Sequence, residues 1–117
     1  MPDPQNPVVG DSASINPRAL AEQLDISLAE LARLVGVSRS TLAAEPLGKK
    51  GREALAQLVR LLSFATEMAG SLDAAVEWFK HTPVVSMGTK TAMDHVKDGK
   101  IEWVYRHLER IYHGAYA

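Results

Sequence analysis

One stretch limits the possible folds more than any other. Between Gly51 and Gly70, Leu55, Leu58, Val59, Leu62, Ala65 and Ala69 recur at helical spacing and form one apolar stripe. Leu61, Phe64 and Met68 form a second stripe beside it. A surface helix confines its apolar residues to one face, so a helix apolar over this much of its circumference belongs at the centre. One stripe is expected to pack on the helices before it. The other, Leu61, Phe64 and Met68, is expected to meet the C-terminal half or a second copy of the chain. No run that could form a strand is longer than residues 83–87. The sequence therefore predicts an all-α protein.

Punctuation residues set out the other helices. Residues 1–15 carry prolines at 2, 4 and 7 and no periodicity, which predicts a disordered tail. Asn16 and Pro17 suit the N-cap and first position of a helix ending near Asp25. Ser27 and Glu30 have capping-box spacing for a second helix, which Gly36 ends. Ser38 caps a third helix running to about Ala44. After the central helix, Ser71 caps a fifth, Leu72 to about Lys80, with Leu72, Ala75, Val76 and Phe79 inward. Residues 81–90 form a loop in which Val84, Val85 and Met87 plug the core. Thr91 and Asp94 open a short sixth helix, and Asp98-Gly99 turns the chain into the last one. Two regions follow the tail, residues 16–70 and 71–117.

The last helix has two faces. Ile101, Val104, Tyr105, Leu108, Ile111 and Tyr112 make an inward stripe. Trp103, His107 and Arg110 lie almost opposite, on a face expected to be wet, and are residue types that anchor interfaces. Gly114 stops the helix. Ala115, Tyr116 and Ala117 then form a slim tail able to offer a ring and a carboxylate to a cleft.

Composition narrows the function classes. Net charge is −1, so any nucleic-acid binding must rest on a local basic patch. The absence of cysteine removes disulfides, thiolate nucleophiles and zinc–thiolate sites, and fits a reducing cytoplasm. No apolar run approaches the ~20 residues of a membrane span. Of the histidines, His107 and His113 are six apart and cannot share a metal, and His81 and His95 read as surface residues. With no nucleophile elbow and no phosphate-cradling glycine loop, no catalytic residue and no metal site is assigned, and the chain is not expected to be an enzyme.

The stretch SLAELARLVGVSRSTLAAE has helix-turn-helix spacing: small Ala32 at the crossing, Gly36 in the turn, and Leu31, Val35, Val37 and Leu42 at apolar positions. The second helix would be the reader. Ser38, Arg39, Ser40 and Thr41 would reach base edges and phosphates, and Lys49, Lys50 and Arg52 the phosphate backbone. From Arg18 to Arg60 seven basic residues face five acidic ones, so the patch is only slightly positive.

The C-terminal half, AAVEWFKHTPVVSMGTKTAMDHVKDGKIEWVYRHLERIYHGAYA, resembles the C-terminal domain of ParS/MbcA/Xre-type antitoxins. The shared features are an aromatic-rich helix (Trp78, Phe79), Pro83 after it, and Gly88 before a short helix. An Asp98-Gly99 turn follows, then a final helix closing in Gly114 and a few residues. The resemblance spans roughly residues 18–117. One departure is Thr89-Lys90 after Gly88, where many relatives have a proline at the next helix start.

The resemblance implies an Xre-like helix-turn-helix bundle followed by a small helical toxin-binding domain. It implies an antitoxin that blocks the active site of a RES-domain toxin, an enzyme that consumes NAD or uses it to modify a target. The antitoxin would need no cofactor and have no catalytic activity of its own. With the toxin it would bind operator DNA and repress its own promoter, as a homodimer within a larger complex. Toxin binding would fall to Trp103, His107, Arg110, His113, Gly114, Ala115, Tyr116 and Ala117. The alternative is a plain dimeric helix-turn-helix regulator whose C-terminal half only dimerises.

Overall fold

The computed structural model describes residues 15–84 and 88–114. Over these the protein is all-α. It has seven helices: α1 (Pro17–Leu24), α2 (Leu28–Val35), α3 (Arg39–Ala43), α4 (Lys49–Ala69), α5 (Leu72–His81), α6 (Ala92–Lys97) and α7 (Ile101–Gly114). Outside them the described residues hold one isolated bridge, between Pro83 and Thr91. The chain divides into two compact units, Met1–Arg60 and Leu61–Ala117. The division falls inside α4, whereas turn residues alone suggest a boundary at Gly70. The predicted tail, but for Ile15, lies outside the described residues, as do Val85 and Met87 of the loop.

In the first unit the starts of α1, α2 and α3 are each fixed by a short polar side chain. The Asn16 carboxamide oxygen accepts the N–H groups of Arg18 and Ala19 at 3.0 and 3.3 Å, and Pro17 takes the first helical position. The Ser27 hydroxyl accepts the Glu30 N–H at 3.0 Å, the serine half of the expected capping box. Gly36 closes α2 at φ +78°, a conformation that a Cβ disfavours, and the Val37 N–H then reaches back to the Ala32 carbonyl. This turn brings α2 against α3. Leu20, Leu24, Leu31, Ala32, Leu34, Leu42, Leu55 and Leu58 are buried. Each such leucine contributes about 1.5–3 kcal/mol over an exposed one. Val35 and Val37 are only half-buried.

The second unit is built on the end of α4 and on α5–α7. Leu61, Leu62, Ala65, Ala75, Phe79, Val84, Ala92, Met93, Val96, Val104 and Leu108 are its buried apolar residues. Leu72 and Val76, expected inward, are half-buried. The Thr91–Asp94 capping box at α6 is complete, with bonds of 3.0 and 3.2 Å. Lys90 stands where relatives were expected to place proline, and its ammonium donates to Asp98 at 2.9 Å. That bond raises the Lys90 pKa and lowers that of Asp98.

Two expectations about this unit are corrected. Ile111 and Tyr112 are 48% and 42% exposed, so the apolar stripe of α7 outruns its cover after Leu108. Periodicity says which side of a helix a residue is on, not how far the neighbouring helices extend. His95, expected at the surface, is 1% exposed, because it lies on the buried face of α6 with Met93 and Val96.

Candidate nucleic-acid and partner interfaces

The first candidate surface is the start of α3 with the start of α4. Ser38 is the N-cap of α3: its hydroxyl accepts the Thr41 N–H at 3.2 Å. The same hydroxyl lies 2.8 Å from the Thr41 hydroxyl and 3.1 Å from that of Ser40. Three of the four residues at the start of the reading helix that were expected to face DNA are therefore knitted together locally. Ser38, Arg39 and Ser40 are exposed, and Thr41 is half-buried.

The basic residues after α3 divide into two kinds. Arg52 donates from Nη1 to the Leu47 carbonyl at 2.8 Å and so ties the α3–α4 connection to α4. Lys49 and Lys50 are exposed. Lys49 approaches Glu53 one turn on at 3.9 Å, a wet pair worth a few tenths of a kcal/mol at most, so both ammonium groups stay available to phosphates. Gly51 is buried beside this connection. A Cβ there would come within 2.8 Å of Leu47 and 3.5 Å of the Thr41 methyl, so the glycine lets the connection lie close on α4.

The second candidate surface is α7. Trp103 and His107, expected on a fully wet face, are half-buried. Their rings stack at 5.4 Å, only 7° from parallel, and the Trp103 ring also meets the buried His95 at 5.1 Å. Trp103 is thus a strut between α6 and α7 as well as a surface group. A helical wheel of α7 alone cannot show this, because the contact comes from α6. Neither ring nitrogen of His95 has a hydrogen-bond partner among the described residues. Burial first, then the neighbouring Arg110 and His95, hold the His107 imidazole below its usual pKa.

Past the stack the helix opens to solvent. Arg110, Ile111, Tyr112, His113 and Gly114 are all exposed. Trp103, Arg106, Glu109, Arg110 and His113 line a shallow hollow of about 550 Å³. Arg106 and Glu109 are additions to the residues expected from the sequence. For Arg106 the signal is the spacing: Trp103, Arg106, Arg110 and His113 share one side of a helix at intervals of three, four and three. Ala115, Tyr116 and Ala117 lie outside the described residues.

The stripe assigned to a dimer or inter-domain contact splits three ways. Leu61 is fully buried within this chain. Phe64 is half-buried against Tyr105 and Tyr112, with ring centroids at 5.3 and 5.7 Å, and Met68 is half-buried at its side.

Among the described residues no group of three or more His, Cys, Asp or Glu side chains could hold a metal ion. No helix among them is long and apolar enough to cross a membrane. No curated protein matches the chain. Residues 17–63, from the start of α1 into the second half of α4, match the family model of the antitoxin Xre-like helix-turn-helix domain, which supports a DNA-binding regulator of antitoxin type.

Proposed function

We propose that this chain is the antitoxin of a RES-domain toxin, binding it through α7 and residues 115–117 and blocking its active site. The toxin consumes NAD or uses it to ADP-ribosylate a target; the antitoxin needs no cofactor. The pair acts in the cytoplasm, where the antitoxin, as a homodimer within the complex, represses its own promoter through α3. The observation that carries this reading is the match of residues 17–63 to an antitoxin helix-turn-helix domain. The basic and aromatic side chains along the exposed end of α7 suit the partner-binding role.

The test is co-purification with the product of the neighbouring gene and an assay of NAD loss with and without the chain. A stable complex in which NAD loss stops is the expected result. Deleting residues 115–117 is expected to abolish neutralisation while leaving the far-UV circular dichroism unchanged. Full neutralisation by the shortened chain would remove the tail from the mechanism. The other reading, a plain dimeric regulator, draws on the exposed Ile111 and Tyr112, apolar groups that would suit a second copy. It predicts a dimer and no complex with a toxin.

A further inference from the structure

The geometry of α3 points to the class of DNA it reads. This rests on the DNA-binding reading of residues 17–63. A helix-turn-helix places the first residues of its second helix at base edges in the major groove. Here that helix is five residues, about 7.5 Å of rise, so few side chains can reach. Leu42 is buried in the core. The Ser38 and Thr41 hydroxyls are bonded to each other, and that of Ser38 also accepts the Thr41 N–H. Ala43 has no polar group. Ser40 has a short hydroxyl, itself 3.1 Å from that of Ser38, and serine pairs with several bases.

Arg39 differs from all of these. It is exposed, the first turn of α3 contains no acidic residue, and no hydrogen bond or ion pair among the described residues holds it. Its guanidinium offers a planar fork of donors. Only guanine presents two acceptors, N7 and O6, side by side in the major groove, and arginine spans them with two parallel bonds. Of the other exposed cations nearby, Arg52 has its Nη1 bonded to the Leu47 carbonyl, and Lys49 and Lys50 lie at the start of α4, where they suit phosphates.

We propose that Arg39 is the one base-reading cation of this chain, and that each operator half-site contains a single required guanine contacted by it. Ser40 adds tolerance rather than choice. Lys49 and Lys50 supply affinity without sequence preference.

The experiment begins with selection of duplexes from a random pool by the full-length chain. Affinity is then measured for the selected duplex, for one with 7-deazaguanine at the enriched position, and for one with adenine there. Both changes are expected to weaken wild-type binding about ten- to a hundredfold. Arg39→Ala should bind all three duplexes alike, at the weaker level. Arg39→Lys, which keeps the charge and a donor but loses the planar fork, should retain salt-dependent binding with a weaker guanine preference. Lys50→Ala should weaken all three by one common factor and flatten the salt dependence. An Arg39→Ala protein that still prefers guanine, or weakens every duplex equally while keeping the wild-type ranking, overturns the assignment and makes Arg39 a phosphate contact. Enrichment of half-sites without a guanine overturns it as well. If the wild type enriches no duplex, the DNA-binding reading fails first and this inference with it.

Discussion

The first turn of α3 and the ring stack on α7 use polar residues in opposite ways. At α3, Ser38, Ser40 and Thr41 lie within four positions of one another and satisfy each other across 2.8–3.2 Å. At α7, Trp103 joins His107 one turn on with His95 from a different helix, and the His95 nitrogens are left without protein partners. A local polar cluster therefore contributes fewer binding groups than its residue names suggest. A cluster assembled across helices is one that a single helical wheel cannot display.

Mutations should separate the two. The largest effect is expected from Ser38→Ala, which removes the cap of α3 and the partner of two hydroxyls. It should cost about 1–2 kcal/mol in urea unfolding. A loss under a few tenths would mean that the hydroxyl cluster is fluid. His95→Leu should fall on the other side of zero. It introduces an apolar side chain of similar size and removes two buried nitrogens without partners among the described residues, so stability should stay within about 1 kcal/mol of wild type, on the stabilising side. A loss beyond about 2 kcal/mol would show that the imidazole has a bonding partner.

The smallest effect concerns pH. His107 has a lowered pKa in the fold, through burial and then through Arg110 and His95. Below about pH 6.5, the unperturbed value, the unfolded chain takes up this proton more readily than the folded one. The contribution of His107 is thus present above that pH and is lost as pH falls toward its lowered folded value. Comparing urea midpoints at pH 8 and pH 5.5 for wild type and His107→Gln isolates it from the carboxylates. The variant should lose less stability on acidification; an equal loss would mean that His107 titrates alike in both states.

Much of the fold was legible because it is written in single residues with local chemistry. Asn16, Ser27, Ser38, Ser71 and Thr91 all cap the helices expected of them. Gly36 and Gly99 have the positive φ that their turns require. The candidate surfaces were less legible because they depend on partners distant in sequence. His95 looked like a surface residue until α6 was seen to bury it. Ile111 and Tyr112 have the periodicity of core residues, yet they are 48% and 42% exposed because the packing of α7 thins after Leu108. The bond from Arg52 to the Leu47 carbonyl is likewise invisible in the sequence, where Arg52 is one of three cations expected at phosphates.

The near-parallel stack of Trp103 on His107 has an optical consequence. The indole is the fluorescent group of tryptophan, and this one is half-buried beside an imidazole. Trp103 also lines the hollow on α7, where any docked partner would change its exposure to water. The chain thus carries an intrinsic fluorophore at the surface proposed for its partner, and the arrival of a partner there can be followed by emission without attaching a label.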